Sequence, residues 1–186
     1  CPGLKVVQPS NPRDAKGLLK AAIRDNDPVI FMESEQMYGD KGEVPEGEYI
    51  IPIGVADVTK EGTDVTIVSF GKMMKLVNEA AIQLEKEGVS VETIDLRTLR
   101  PIDYDTVIKS VKKTNRMVFV EESWPLGSFS SEVTFKVQKE AFDYLDAPIV
   151  RVTGADVPMS FSVPLIEAYL PNVNKIMKAV KQVMYK

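Results

Sequence analysis

The chain of 186 residues contains no histidine. That absence removes the commonest general acid–base group, and with it a Ser-His-Asp triad, a Cys-His pair and any His-ligated metal. A reaction that needs histidine must draw it from elsewhere. Cysteine occurs once, as Cys1, so no intrachain disulfide can form and a reducing compartment is expected. Basic residues are not in excess: 23 bases against 27 acids leave a net charge of −4, which gives no footing for nucleic-acid binding. No apolar run reaches the roughly 18 residues of a membrane span, and no signal-peptide pattern is present. Neither nucleic acid nor membrane is therefore an expected partner. What is present is an ordinary globular balance, 44% apolar and 27% charged, in a chain long enough for one core or for one domain plus a fragment. It opens at Cys1-Pro2-Gly3, directly before an apolar run and without an initiator Met. Processing or cloning explains this, as does a start inside a domain.

Hydrophobic periodicity divides the chain in two. Leu4–Val7 reads as a strand. Asn11 can cap a helix with Pro12 in its first turn. Ala15, Leu18, Leu19, Ala22 and Ile23 recur at helical spacing, and Asp25–Pro28 ends the helix. Val29–Met32 reads as a second strand. One β-α-β unit cannot bury two sheet faces, so this piece needs partners. Tyr38–Tyr49 is rich in Gly and charge and reads as an exposed linker, which places a boundary between residues 1–45 and 46–186. Strands at Val65–Phe70, Val89–Leu96, Met117–Val120 and Ile149–Val152 then alternate with helices at Met73–Leu84, Asp103–Lys113, Ser128–Tyr144 and Asn172–Lys186. This alternation predicts an α/β fold with a three-layer, mainly parallel sheet.

In such a sheet, ligands meet the carboxyl ends of the strands, so four loops are candidates. Gly71-Lys72 could hold an anion at a helix start, but P-loop spacing is lacking and a plain turn accounts for it. Arg97, Arg100 and Asp103 flank Pro101. Paired arginines can clamp a carboxylate or phosphate, although a salt-bridged loop holding the sheet edge or an interface explains them better. Glu121-Glu122 could share a proton, yet adjacent residues at a strand end tend to point apart. Trp124 follows as an interface anchor or a core-edge plug. The run PIVRVTGADVPM, Pro148–Met159, breaks an apolar strand at Thr153-Gly154 and carries Asp156 into a short loop. At the end of the Pro12 helix, the carbonyls near Ala22 and Ile23, with Asp25 and Asp27, offer oxygens suited to a hard cation. Solvation of those carbonyls is the simpler account.

The letters add a resemblance. RVTGADVPM, together with CPGLKVV at Cys1–Val7, DAKGLL at Asp14–Leu19, Ala22–Asp25, IPIG at Ile51–Gly54, DLRTLRPID at Asp95–Asp103 and LDAP at Leu145–Pro148, resembles the β subunit of the E1 component of pyruvate dehydrogenase. It covers nearly the whole chain and is closer to the pyruvate than the branched-chain type. The resemblance implies a transketolase C-terminal-like domain preceded by the last β-α-β piece of a pyrimidine-binding domain. It further implies a whole enzyme that decarboxylates pyruvate on thiamine diphosphate and reductively acetylates a lipoyl group. The family's catalytic histidine and its cofactor-activating glutamate have no counterpart here, and the diphosphate and Mg²⁺ belong to the α subunit. The expectation is therefore a part that is inactive alone and serves assembly and docking. Implied partners are the α subunit, a second β subunit in a heterotetramer, and the basic peripheral-subunit-binding domain of the E2 acyltransferase, met by Asp146. Ala22, Ile23, Asp25 and Asp27 match a structural K⁺ site. The implied location is the cytoplasm in a bacterium, or the mitochondrial matrix or plastid stroma in a eukaryote. The alternatives are a free-standing docking module, or part of a transketolase, a deoxyxylulose-phosphate synthase or a branched-chain 2-oxo-acid dehydrogenase. The chain departs from the family after Trp124-Pro125 and after Met159, where Ser160-Phe161-Ser162 replaces Pro-Tyr-Ala.

Overall fold

The computed structural model describes residues 1–186. Its centre is a five-stranded sheet built from β3 (Asp57–Lys60), β4 (Val65–Ser69), β5 (Val91–Asp95), β7 (Met117–Val120) and β8 (Val150–Val152), in the order β3-β5-β4-β7-β8. All neighbours are parallel except β3, which runs antiparallel along one edge. Every residue of β4, β5 and β7 is buried, as expected of strands covered on both faces. Period-two alternation divides their side chains. Val65, Ile67, Val118 and Val120 face α2 (Met73–Lys86) and α6 (Val173–Val183). Val68, Met117 and Phe119 face α3 (Tyr104–Thr114) and α4 (Phe129–Ala141). Two apolar cores therefore sandwich the sheet, and the expected three-layer architecture is present.

Sequence signals for helix ends hold locally. Asn11 accepts the Asp14 N–H at 2.9 Å and starts α1 (Pro12–Arg24), Asp103 accepts the Thr106 N–H at 3.1 Å at α3, and Asn172 accepts the Lys175 N–H at 2.9 Å at α6. Each side chain thereby serves one of the N–H groups a helix start leaves unpaired. Gly88 follows α2 with φ +77°, the left-handed conformation that suits glycine at that position.

Three elements escaped the periodicity. Strand β3 is short and lies at an edge. Strand β6 (Thr98–Arg100) lies where the sequence predicts a loop. Helix α5 (Val163–Tyr169), seven residues long, follows the PIVRVTGADVPM run. Strand β6 has a disproportionate effect. A second, three-stranded sheet has the order β2-β1-β6, in which β1 (Lys5–Val7) pairs parallel with β2 (Val29–Phe31) and antiparallel with β6. The N-terminal β-α-β unit is thus hydrogen-bonded to a strand from the second half of the chain.

The unit is still incompletely covered. Leu18 is fully buried, but Ile23, Leu19, Ile30 and Met32 are exposed, so the apolar face predicted for α1 finds only part of its cover here. Residues Tyr38–Tyr49 have no strand and are mostly exposed, as expected of a linker, yet they are fastened to α1. Lys16 Nζ donates to the Pro45 carbonyl at 2.7 Å and Tyr49 Oη to the Arg13 carbonyl at 2.7 Å. Gly17 permits this approach, because a Cβ there would lie 2.7 Å from Ile51 Cγ1.

Candidate functional site

The loops at the carboxyl edge of the central sheet do bring together most of the residues singled out from sequence. Their side chains are turned on one another. After β4, Gly71 has φ +55° and packs against Gln8, where a Cβ would come 2.7 Å from the amide nitrogen. Lys72 does not stand free for an anion: its Nζ lies 2.5 Å from Glu122 Oε2. Glu121 and Glu122 do point apart. Glu121 is fully buried and accepts the Ser130 N–H at 3.1 Å and the Ser123 hydroxyl at 3.1 Å, which places a carboxylate at the positive start of α4. The two carboxylates therefore serve different partners.

The loop after β5 forms the seam between the two parts of the chain. Arg97 is buried, with φ +56°. Its Nε and Nη2 donate to Asp14 at 2.7 and 2.9 Å, and Nη2 also to Asp57 Oδ2 at 2.7 Å. This fork-to-fork geometry is the strong form of a charge-assisted contact. The salt-bridged reading of Arg97 is what the structure shows, while Arg100 is exposed. Asp103, besides capping α3, accepts the Ala56 N–H at 2.9 Å. Asp95, fully buried, accepts from the Ser10 hydroxyl and from the Arg97 N–H at 2.9 Å. Burial pushes its carboxyl up to about 7, against the opposing pull of the Ser10 and Arg97 hydrogen bonds. Sequence reasoning overlooked the part played by Ser10, Asp57 and Asp95. Nothing local marks a serine and an acid 85 residues apart as partners.

Around β8 the edge turns apolar. Gly154 N–H donates to the Ser123 carbonyl at 3.0 Å, and its Cα packs so closely that a Cβ would sit 2.8 Å from Glu122 O and from Tyr169 Oη. Arg151 ties the preceding loop down, donating to Pro125 O at 2.9 Å and Ser131 Oγ at 2.5 Å. Trp124 Nε1 donates to the Val157 carbonyl at 3.1 Å, while about half its surface stays in solvent. Leu126, Met159, Phe161, Val163 and Leu165 are also exposed. Exposed apolar side chains on this scale mark an interaction surface rather than a reaction pocket.

Two further expectations concern sites away from this edge. At the end of α1, Lys5 Nζ lies 2.8 Å from both Asp25 oxygens and 3.0 Å from Asp27 Oδ2. The Lys5 hydrogen bond holds the Asp25 carboxyl below its usual range. Both acids among the expected K⁺ ligands thus face an ammonium, and Ala22 O accepts the Asp25 N–H at 3.3 Å. No group of three or more His, Cys, Asp or Glu side chains is arranged to hold a metal. Asp146 is half exposed, 3.0 Å from Arg116 Nη2, and its carbonyl accepts the Tyr185 hydroxyl at 3.3 Å, so it lies beside the end of α6.

Comparison with known proteins sets this geometry in context. Residues 54–176 match the family "Transketolase, C-terminal domain", and residues 1–41 match "Transketolase, pyrimidine binding domain". Over the whole chain, 53% of residues are identical to the pyruvate dehydrogenase E1 component subunit beta of Rhizobium meliloti, of which the chain covers 40%. A mitochondrial rice relative with the same subunit name is 47% identical over the whole chain, with 50% of that relative covered. The beta subunit of the acetoin:2,6-dichlorophenolindophenol oxidoreductase of Bacillus subtilis is 46% identical over 98% of the chain and 54% of the relative. The chain thus spans about half the length of the curated relatives it matches. A solved structure described as a split gene transketolase, inactive beta4 tetramer, superimposes with a TM-score of 0.80 at 28% identity, covering 99% of this chain and 58% of that one. No helix is long and apolar enough to cross a membrane.

Proposed function

Since the chain belongs to the transketolase C-terminal domain family, we propose that it forms the C-terminal part of the β subunit of a pyruvate-type 2-oxo-acid dehydrogenase and serves subunit assembly and docking. The observation that carries the assembly role is the carboxyl edge itself. Its buried or ion-paired groups, Lys72, Arg97, Glu121 and Glu122, are committed to partners within the chain, and large apolar side chains such as Leu126, Phe161 and Val163 are exposed along it, beside the charged Arg100 and Asp156. The proposed division at residue 45 separates the remnant of a pyrimidine-binding domain from the docking domain, with β6 bridging the two. The incompletely covered β2 and α1 suit continuation of the first domain by further chain or by the α subunit, and the apolar loops suit a second β subunit.

Thiamine diphosphate, bound by the whole enzyme with Mg²⁺ on the α subunit, would supply the carbanion chemistry that decarboxylates the 2-oxo acid. Lys72 and Arg97 at the carboxyl edge are both paired with acids and so are not free for its diphosphate. Calorimetry on these 186 residues alone is expected to show no cofactor binding, whereas the assembled α and β subunits bind it and release CO₂ from pyruvate. Micromolar binding by the 186 residues alone would sink the proposal. The acetoin oxidoreductase match favours a second reading in which acetoin is the substrate, and the same assembled enzyme assayed on both compounds separates the two.

Docking of a basic E2 domain through Asp146 rests on electrostatics. Asp146 keeps about half of its side chain in solvent, whereas its partner Arg116 keeps about a quarter, so the open side of the carboxylate can meet an incoming cation. Asp146→Ala is expected to lose most retention on an immobilised peripheral-subunit-binding domain. Equal retention of wild type and variant removes Asp146 from the surface.

A further inference from the structure

The seam holds three carboxylates, Asp14, Asp57 and Asp95, around one guanidinium. Arg97 gives its side-chain donors to Asp14 and Asp57. Asp95 receives only the neutral Ser10 hydroxyl and the Arg97 backbone N–H. The groups facing it are Ser10 from the turn before α1, Asp14 from α1, Asp57 opposite it in β3, Ser69 beside it in β4 and Arg97 from its own turn. The one cation among them is already shared by two acids. An ionised carboxylate without access to water and without its own counter-charge is disfavoured by desolvation and by the neighbouring Asp14.

The position of Asp95 gives its proton a mechanical role. Asp95 ends a strand of the central sheet, whereas Ser10 belongs to the N-terminal unit. Ser10 Oγ also accepts from Asn11 Nδ2 at 3.2 Å, Asn11 Nδ2 donates to Asp14 Oδ2 at 3.1 Å, and Asp14 is gripped by Arg97, whose N–H returns to Asp95. Five residues close a ring of hydrogen bonds across the seam, and this ring includes the cap of α1. We propose that a proton on Asp95 latches the N-terminal β-α-β unit to the central sheet, and that the unit loosens as Asp95 ionises.

The direction follows from proton linkage. With the carboxyl raised to about 7 when docked and near 3.9 when exposed to solvent, the docked state binds more protons throughout that window. Docking therefore weakens as pH rises across it and levels off above about 7. Between about pH 6 and pH 8 the opening equilibrium is expected to grow roughly tenfold.

Hydrogen exchange on the full-length protein in its native assembly reads this directly, after correction for intrinsic exchange. Residues 5–8 and 98–100 are expected to lose about tenfold in protection from about pH 6 to pH 8, with residues 65–69 unchanged. Asp95→Asn, which keeps a neutral group, is expected to abolish the change. Equal protection of the wild type at both pH values, or an undiminished change in Asp95→Asn, overturns the latch. Infrared difference spectra of the wild type decide the matter without the variant. A protonated-carboxyl band that disappears over this range is expected, and its absence overturns the proposal even if Asp95→Asn fails to fold.

Discussion

Arg97→Met is expected to lower folding stability by about 3–5 kcal/mol, because it leaves a buried carboxylate without its counter-charge. Asp14 has no solvent exposure and receives two of the three Arg97 side-chain bonds. The other acid, Asp57, has about a third of its side chain in water and can be rehydrated, so it contributes little to the loss. Arg97→Lys is expected to be intermediate, since a single ammonium cannot reproduce the fork that meets both oxygens of Asp14. Arg97→Met combined with Asp14→Leu is expected to regain much of the stability, because replacing a buried pair is far less costly than breaking one. Urea denaturation measures all three: a fall in midpoint at constant slope is expected for Arg97→Met. A loss below about 1 kcal/mol would mean that water reaches Asp14 and that the seam is not a dry junction.

Phe119→Ala should cost a similar amount, about 3–5 kcal/mol. Phe119 is fully buried in β7 and packs edge-on against Phe70, with ring centroids 6.3 Å apart. Phe70 in turn meets Phe129 at 6.0 Å, at the start of α4. Removing the first ring therefore leaves a cavity in the core shared by α3 and α4 and slackens the support beneath the Glu121–Ser128 loop. A chain of this size is expected to melt roughly 10 °C lower. Phe119→Leu, which refills most of the volume, should lose less than half as much. Equal melting of Phe119→Ala and wild type would show that the core collapses around the missing ring.

Much of the central domain is legible in the order of its letters. Met117–Val120 can only be a strand covered on both faces, and the structure ends it at the same residues. Asn11, Asp103 and Asn172 mark helix starts because a side-chain oxygen one turn before an N–H is a local relation. Arg97 was recognisable as a charge that needs acids, but not which acids, since Asp14 lies 83 residues away. Strand β6 was hidden because three residues of mixed polarity form a strand only when another strand is already beside them. The same holds for α5, which at seven residues is too short to be stable without packing.

By itself the sequence determines the alternation of strands and helices, the two-sided burial of the central sheet and the absence of histidine chemistry, because each depends on residue type and on spacing within one element. Tertiary structure alone decides that β1 pairs with β6, that Lys5 stands at the acids of the α1 terminus, and that Asp95 lacks a counter-charge. Those outcomes depend on which distant groups share a space from which water has been excluded. Local pattern does not encode that geometry, and exclusion of water is what turns ordinary carboxylates into the seam's strongest contact and its titratable latch.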